Sequence, residues 1–257
     1  GRRIISLVNH PNALALLLGP LLAMLIFRSQ KTKLDWAALI LGLPVFYLTV
    51  SRAGWLALAI TVIGGLLVQK FHNSPSPPLI LRGGWGALLV VLGLIAIIFI
   101  IPFSRSLLLE LMTGRAATQE NRYVLWTAAA DLVKKHPVTG VGLMGFHEYY
   151  KNYPLGPDRV VQNYPHNFLL NFWLETGLLG LISIVWLFVL FYKKIISTPR
   201  EEVIKGRLLI LPAAAAMTVI LLHGLVDVPY FKNDLAVLFW FIYALPDLPA
   251  RLAEASR

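Results

Sequence analysis

Hydrophobic runs long enough to cross a lipid bilayer alternate along the chain with short polar segments. A transmembrane helix needs about 20 apolar residues to cross about 30 Å of hydrocarbon. The stretch from Trp36 to Gln69 has Arg52 as its only charge and is far too long for one crossing, so two spans meet near Ser51–Arg52. The pattern predicts seven spans: 11–27, two within 36–69, 83–103, 168–192, 208–226 and 235–245. The last span is short, and a re-entrant segment is the alternative there.

A long polar segment separates the fourth predicted span from the fifth. Ser104 to Pro165 contains scattered charges, Pro and Gly, which is typical of a loop outside the membrane. Within it, Asn121 to Lys135 repeats apolar residues at helical spacing and predicts an amphipathic helix. We therefore predict an all-α, polytopic transmembrane helical bundle in three parts: spans one to four in residues 1–103, the loop in 104–165, and spans five to seven with a tail in 166–257.

Composition supports a membrane protein and excludes other classes. Hydrophobic residues make up 57% of the chain and charged residues 14%, against roughly 45–50% and 25% in soluble domains. The absence of cysteine excludes a thiol nucleophile and thiolate metal sites. The net charge of +10 would favour nucleic acid in a soluble protein, but here it indicates orientation, and no nucleic-acid partner is expected. The short loops and tail on one side hold 12 of the 23 Lys and Arg. That side is therefore predicted to be cytoplasmic, with the long loop outside.

His166 is the candidate for acid–base chemistry. It precedes the fifth predicted span, where steps of four from Asn163 reach Asn167, Asn171 and Glu175 and predict one polar stripe on a helix. Imidazole titrates near neutral pH and can take a proton from a hydroxyl without a metal. His166 is therefore a candidate general base, and a structural role at the helix start is the alternative.

Three arginines on the predicted outer side are candidates for binding phosphate. Arg52 lies between two apolar segments, where a charge is costly unless it pairs, reaches the interface or binds an anion. An anion site and an interfacial anchor are about equally supported there. Arg115 and Arg122 lie in the long loop, where solvent-exposed arginines are common. Guanidinium groups pair with phosphate oxygens in a fork geometry, so together the three would suit a diphosphate.

His223 and Asp227 form a second polar group, four residues apart at the outer end of the sixth predicted span. A continuous helix would place them on one face, either as an orienting pair or as a hydrogen-bonded helix end, and the second interpretation is favoured for His223. Together with His166 and Glu175 they show no recognised metal-ligand spacing. No metal and no cofactor are therefore predicted.

Five strings in chain order carry a family resemblance. Two are long and specific: NRYVLWTAAADLVKKHPVTGVGLMGF at 121–146 and PHNFLLNFWLETGLLGL at 165–181. The shorter ones are NHPNALA at 9–15, SRAGWLAL at 51–58 and HGLVDVPYF at 223–231. With these the chain resembles the O-antigen ligase and O-antigen polymerase superfamily of bacterial inner-membrane glycosyltransferases. Because that family usually has more spans, we expect this chain to be the carboxy-terminal part of a larger protein.

The resemblance implies an activity and roles for the candidate residues. The activity is transfer of a glycan from an undecaprenyl diphosphate carrier to an acceptor hydroxyl at the periplasmic face of the inner membrane, with inversion and without a metal. Arg52 and Arg122 match family arginines that bind the diphosphate, and His166 matches the family's proposed base. Asn167, Glu175 and Asp227 also match family positions and would orient the base or hold the acceptor. Arg115 is a further substrate-binding candidate, from its place in the long loop.

The acceptor distinguishes the alternatives within the enzyme class. An O-antigen ligase uses a lipid A–core sugar, and this is the expected acceptor. A polymerase would extend a growing glycan, and a protein O-oligosaccharyltransferase would modify a side chain. Two other classes remain open: a transporter or flippase of the lipid-linked glycan, in which the polar stripe lines a pathway, and a structural membrane subunit, which does not depend on His166.

Overall fold

The computed structural model describes residues 11–72, 117–153, 161–198, 209–230 and 233–248. This part of the chain contains eight α-helices, a short 3₁₀ turn at Leu245–Asp247 and no strand, which confirms the all-helical prediction for these residues. The predicted span at 83–103 and the loop residues at 104–116 and 154–160 lie outside it. The helices are α1 Pro11–Phe27, α2 Lys33–Leu48, α3 Arg52–His72, α4 Ala117–Lys135, α5 Gly145–Lys151, α6 Phe168–Ser197, α7 Ile210–Gly224 and α8 Asn233–Ala244.

Helix boundaries in the first part of the chain follow from local signals. The bounds of α1 coincide with the predicted first span. At the start of α2, the Thr32 hydroxyl accepts a hydrogen bond from the Asp35 N–H at 3.2 Å, and the Asp35 carboxylate accepts one from the Thr32 N–H at 2.7 Å. This reciprocal capping box satisfies two N–H groups that a helix start leaves unpaired. The predicted break near Ser51–Arg52 is confirmed, because α2 ends at Leu48 and α3 begins at Arg52.

The chain forms two compact units. The first contains the described residues up to Leu58 and from Leu125 onward, and the second contains the described residues between Ala59 and Val124. In the first unit α1 packs along α7 and also contacts α2 and α8, while α7 contacts α6. Gly19 permits the close approach of α1 to α7, since a Cβ at that position would lie 3.1 Å from Val219 Cγ1. The apolar core of this unit lies mainly between α6, α7 and α8.

The helix α6 folds back on itself at Gly177. This residue has φ 73° and ψ −174°, a backbone conformation outside the helical region. The rings of Phe168 and Phe188 lie 5.8 Å apart between centroids, whereas the same 20 residues in a straight helix would separate them by about 30 Å. The arm Phe168–Thr176 therefore packs antiparallel to the arm that begins at Leu178. The prediction of one uninterrupted span from residue 168 to 192 missed this turn.

The backbone of Val138–Val141 completes the turn. A break in a helix leaves backbone groups without their usual partners, and buried groups of this kind must find others. The Leu178 N–H donates to the Val138 carbonyl at 2.9 Å, and the Val141 N–H donates to the Leu174 carbonyl at 2.6 Å. Glycine is needed on both sides of this contact. Gly140 and Gly177 both have positive φ, and a Cβ on either one would press against a backbone carbonyl of the other segment.

Length and composition identify Phe168–Ser197 as the described helix that is apolar and long enough to cross a membrane. Beyond the turn, the arm from Leu178 to Ser197 still has about 20 residues, enough for about 30 Å of hydrocarbon. Its exposed side chains include Leu179, Ile182 and Trp186. The helices α1 and α7 and the first part of α3 are apolar but shorter. The seven-span arrangement and the outer position of the loop remain predictions.

Candidate active site

His166 and Asp227 form a side-chain pair where α6 begins. The Nδ1 atom of His166 lies 3.2 Å from Oδ1 of Asp227. The His166 side chain is 29% exposed, whereas the Asp227 side chain is 7% exposed. His166 has φ 50°, an uncommon backbone conformation for a residue with a side chain, although histidine adopts it more often than most residues. This backbone conformation directs the chain from the preceding loop into α6 while the ring stays against Asp227.

Asp227 is held by groups from several parts of the first unit. Asn12 near the start of α1 donates to Oδ2 at 3.4 Å, and the Val228 N–H donates to Oδ1 at 2.9 Å. Burial favours the neutral carboxyl, but the hydrogen bond and charge of His166, the charge of His223 and the Val228 N–H outweigh burial and lower the pKa of Asp227 from 3.8 to about 2. The aspartate is therefore ionised at neutral pH and can hold the N–H of the imidazole in one orientation.

Asn167 ties the start of α6 to the loop that contains Asp227. Its Oδ1 accepts a hydrogen bond from the Leu170 N–H at 3.0 Å, which caps the helix. Its Nδ2 donates to the Leu225 carbonyl at 2.9 Å. These two bonds bring the segment containing His166 beside the end of α7. The described bonds of Asn167 therefore position the two elements of the pair.

The predicted polar stripe is only partly present. Asn163 is exposed and precedes the helix, so it does not belong to a helical stripe. Asn171 and Glu175 are buried on the first arm of the α6 hairpin. The Glu175 carboxyl interacts with the Met144 backbone N–H at the start of α5, whereas the side-chain Nδ2 and Oδ1 of buried Asn171 have no hydrogen-bond partner among the described residues. Glu175 lies about 12 Å further along the arm than Asn167, toward the turn at Gly177.

The predicted shared face of His223 and Asp227 is wrong, because α7 ends at Gly224 and Asp227 lies beyond it. His223 is 1% exposed, and its Nε2 lies 3.4 Å from the Ser51 hydroxyl. A Cβ at Gly54 would lie 3.2 Å from His223 Cε1, so Gly54 serves helix packing here. The contact with Ser51 places the start of α3 beside the end of α7.

The structure locates two of the three candidate arginines. Arg52 is the first residue of α3, directly after Ser51, and is partly buried. Arg122 lies on α4 in the second unit and is also partly buried. Arg115 lies outside the described residues. That these arginines bind phosphate remains a prediction.

Two residues of the site were not identified from the sequence. The Oε1 atom of Gln162 lies 3.3 Å from His166 Nε2, the ring nitrogen opposite Asp227. Asn12, which bonds to Asp227, lies in the NHPNALA string but had no role assigned to it. A glutamine in a polar loop carries no signal that separates it from its neighbours. Only the fold brings it to the ring.

Comparison with known proteins identifies the family. The sequence profile of the O-antigen ligase family matches residues 37–185, more than half of the chain. The matched region includes Arg52, Arg122 and His166, whereas Asp227 lies outside it. A comparison with curated proteins gives no match. The chain belongs to the O-antigen ligase family, whose members are membrane proteins and glycosyltransferases of the O-antigen ligase and polymerase type.

Proposed function

We propose that this protein transfers a glycan from undecaprenyl diphosphate to an acceptor hydroxyl at the periplasmic face of the bacterial inner membrane. The acceptor is a lipid A–core sugar, as in an O-antigen ligase. The observation that carries the proposal is the His166–Asp227 pair, in which one ring nitrogen faces a buried carboxylate at 3.2 Å. The match of the family profile across His166 supports the same assignment.

In the proposed reaction His166 is the general base. The N–H at Nδ1 is held by ionised Asp227, which leaves the lone pair on Nε2 to accept the proton of the acceptor hydroxyl. As the O–H bond breaks, the oxygen attacks the sugar carbon that bears the diphosphate, from the opposite face. The bond between that carbon and the diphosphate oxygen breaks, and the configuration of the carbon inverts. Asp227 then stabilises the imidazolium.

The leaving diphosphate requires positive charge. Negative charge develops on its oxygens as the glycosidic bond breaks, and preorganised cations stabilise that change most effectively in a site shielded from water. Arg52 is suited to this role because Ser51 contacts His223 and so places the start of α3 beside the segment containing Asp227. The assignment of Arg122 to the diphosphate and of Arg115 to the substrate stays a prediction from the sequence. The reaction as proposed requires no metal.

Asp227, Asn167 and Glu175 support this chemistry in different ways. Asp227 orients the base, and Asn167 holds the two elements that carry the pair. Glu175 stabilises the arm of α6 that begins directly after the site. These three residues act by positioning other groups of the protein. In the proposed reaction the acceptor and donor contact mainly His166 and the arginines.

A transfer assay tests the proposal. The protein in lipid vesicles is given an undecaprenyl diphosphate-linked glycan together with one acceptor at a time: lipid A–core, a short glycan or an acceptor protein. Labelling of lipid A–core that is lost in His166→Ala supports the ligase assignment. Labelling of the glycan or the protein instead would replace it with a polymerase or a protein O-oligosaccharyltransferase.

The same vesicles separate transfer from transport. Donor glycan that moves across the bilayer without becoming linked to any acceptor would indicate a flippase. Transfer by His166→Ala at the level of the unmodified protein would exclude His166 as the base. The folded fraction of each variant is measured by size-exclusion chromatography. Each transfer rate is then expressed per folded molecule.

A further inference from the structure

Gln162 occupies the side of the His166 ring that the proposed reaction uses. Its Oε1 lies 3.3 Å from Nε2, while Asp227 Oδ1 lies 3.2 Å from Nδ1 on the other side. Both ring nitrogens therefore face an oxygen acceptor. Two acceptors suit a ring that donates from both nitrogens, which is the protonated imidazolium. The arrangement matches the state of His166 after it has taken a proton.

The amide of Gln162 can also serve the neutral ring. A glutamine side chain presents a carbonyl oxygen on one side and an NH₂ group on the other, and a half-turn about its last torsion exchanges them. With the oxygen toward Nε2, it accepts from the N–H of the imidazolium. With the NH₂ group toward Nε2, it donates to the lone pair of the neutral imidazole. A carboxylate at this position could only accept, and an apolar side chain could do neither.

The backbone around Gln162 fixes the position of this amide. Nδ1 of His147 on α5 lies 3.3 Å from the Gln162 carbonyl oxygen. Gln162 is partly buried and stands four residues before His166, whose φ of 50° turns its ring back toward the loop. The segment is thus tied to α5 through its backbone and to the ring through its side chain. The described titratable groups that face the ring or its partners are Asp227, His147 and, through Asp227, His223.

We propose that Gln162 is a positioning residue of the transfer reaction, which holds His166 Nε2 toward the acceptor and stabilises the imidazolium through its amide oxygen. This inference rests on the proposed function. The acceptor hydroxyl displaces the amide from Nε2, gives up its proton to that nitrogen and attacks the sugar carbon, whose bond to the diphosphate oxygen breaks as undecaprenyl diphosphate leaves. The Gln162 oxygen then accepts the new N–H, and the proton passes to water when the product leaves.

Two substitutions at this position separate the possibilities. Gln162→Met keeps the length of the side chain but removes both hydrogen-bonding groups, and we expect kcat to fall about tenfold with little change in KM for the donor. Gln162→Glu places a second carboxylate against the ring, which favours the imidazolium and removes the lone pair that the reaction needs. We expect about a hundredfold loss at neutral pH and partial recovery as the pH rises, so that activity appears at higher pH than in the unmodified protein.

The matched control is Gln30, an exposed glutamine between α1 and α2. Gln30→Met and Gln30→Glu carry the same chemical changes and should leave the rate and its pH profile unchanged. Thermal unfolding of each variant in detergent is measured in parallel. A merely structural role for Gln162 would lower the unfolding temperature of both Gln162 variants and leave the pH profile of the remaining activity where it was.

The experiment is the transfer assay in lipid vesicles with the undecaprenyl diphosphate-linked glycan, from pH 5 to 9, on the unmodified protein, His166→Ala and the four glutamine variants. The proposal is supported if Gln162→Met lowers kcat about tenfold with an unshifted pH profile and an unchanged unfolding temperature, and Gln162→Glu shifts the rise of activity to higher pH. It is overturned if Gln162→Met keeps the full kcat, or if both Gln162 variants lose activity with an unshifted profile. If His166→Ala keeps its activity, or if the unmodified protein labels no acceptor, then the proposed function itself fails.

Discussion

Two histidines, His166 and His223, act on the pKa of the same aspartate, Asp227, but their surroundings differ. His166 is partly exposed, adopts a left-handed backbone conformation and has a polar side chain against each ring nitrogen. His223 is 1% exposed, is the penultimate residue of α7 and packs against Gly54 and Ser51. A substrate hydroxyl can approach the first ring but not the second. Proximity to a carboxylate is therefore insufficient to identify a general base. The base must also have a ring nitrogen that a substrate hydroxyl can reach.

The largest expected effect is a loss of transfer activity that distinguishes His166 from His223. His166→Ala should lower the rate of transfer by about 10²–10⁴, the usual contribution of a general base. His223→Ala should instead leave a cavity in the packed helix contact and destabilise the protein by about 2–4 kcal/mol. Per folded molecule, its rate should stay within a few-fold of the unmodified protein. Transfer rates normalised to folded protein, with unfolding temperatures beside them, check both expectations. A rate loss in His223→Ala as large as that in His166→Ala would contradict the assignment of different roles to the two histidines.

The next effect concerns the aspartate that both rings approach. Asp227→Asn removes the charge that holds the His166 ring and should lower kcat by about 10- to 100-fold, because a hydrogen bond to a charged group contributes about 1.5–3 kcal/mol. KM for the donor should change little, since the carboxylate is buried and bonded to protein groups. Steady-state transfer kinetics measure this split. An increase in KM with unchanged kcat would instead mean that Asp227 binds substrate.

The pH dependence of stability tests the same residue without substrate. A carboxyl whose pKa is lower in the folded protein stabilises the fold above its unfolded pKa and loses that contribution as the pH falls through the folded value. For Asp227 the lowering of the pKa from 3.8 to about 2 corresponds to a stabilisation on the order of 2 kcal/mol. The unmodified protein should therefore lose this stability between about pH 4 and pH 2. Asp227→Asn should lack that loss, and unfolding temperatures in detergent across this range show the difference.

A smaller effect is expected at Arg52, which begins the helix next to the buried histidine. Arg52→Lys keeps the charge but loses the planar fork that pairs with two phosphate oxygens. We expect about a tenfold loss of kcat/KM for the diphosphate-linked donor. Binding of the donor to the protein without an acceptor, measured by titration calorimetry, should weaken in parallel. Equal kinetics and equal binding in the lysine variant would remove Arg52 from the diphosphate site.

The smallest expected effect is at Gly54. A Cβ there would lie 3.2–3.3 Å from His223, Ala15 and Phe46, which is tight but short of a hard clash. Gly54→Ala gains helix propensity of up to about 1 kcal/mol, so the net change in stability should stay within about 1 kcal/mol. The transfer rate should be unaffected because none of the three residues that the Cβ would touch contacts substrate in the proposed reaction. Unfolding temperature and transfer rate together measure this, and a lost rate would link His223 to the chemistry.

The sequence predicted the elements of the fold better than their arrangement. The bounds of α1 and the break before Arg52 follow from the lengths of the apolar runs and the charges that interrupt them, and the helix within residues 121–135 follows from apolar periodicity. The reversal at Gly177 does not follow, because the run from 168 to 192 is apolar enough to predict a continuous span despite its two glycines, Gly177 and Gly180. The partner that makes the turn possible is the backbone at Val138–Val141, which lies far away in sequence.

The candidate site, like the fold, was predicted from the sequence only in part. His166 was identifiable as a candidate because an imidazole at the start of an apolar helix is chemically conspicuous. The partners of His166 depend on the contact between the start of α6 and the end of α7. No rule of residue spacing predicts that contact. The helical spacing of His223 and Asp227 suggested a pair, but the helix stops at Gly224 and frees Asp227 to reach His166 instead. Gln162 can be identified as a partner only when the position of the His166 ring is known.

The backbone pairing at the α6 turn also sets an order of events during synthesis. The Val141 N–H finds its acceptor on Leu174, and the Val138 carbonyl finds its donor on Leu178. The ribosome makes those partners more than 30 residues after the segment that needs them. Until then, the Pro137–Val141 segment cannot dock, and its backbone stays hydrated. The hairpin of α6 and the segment that closes it must therefore form together.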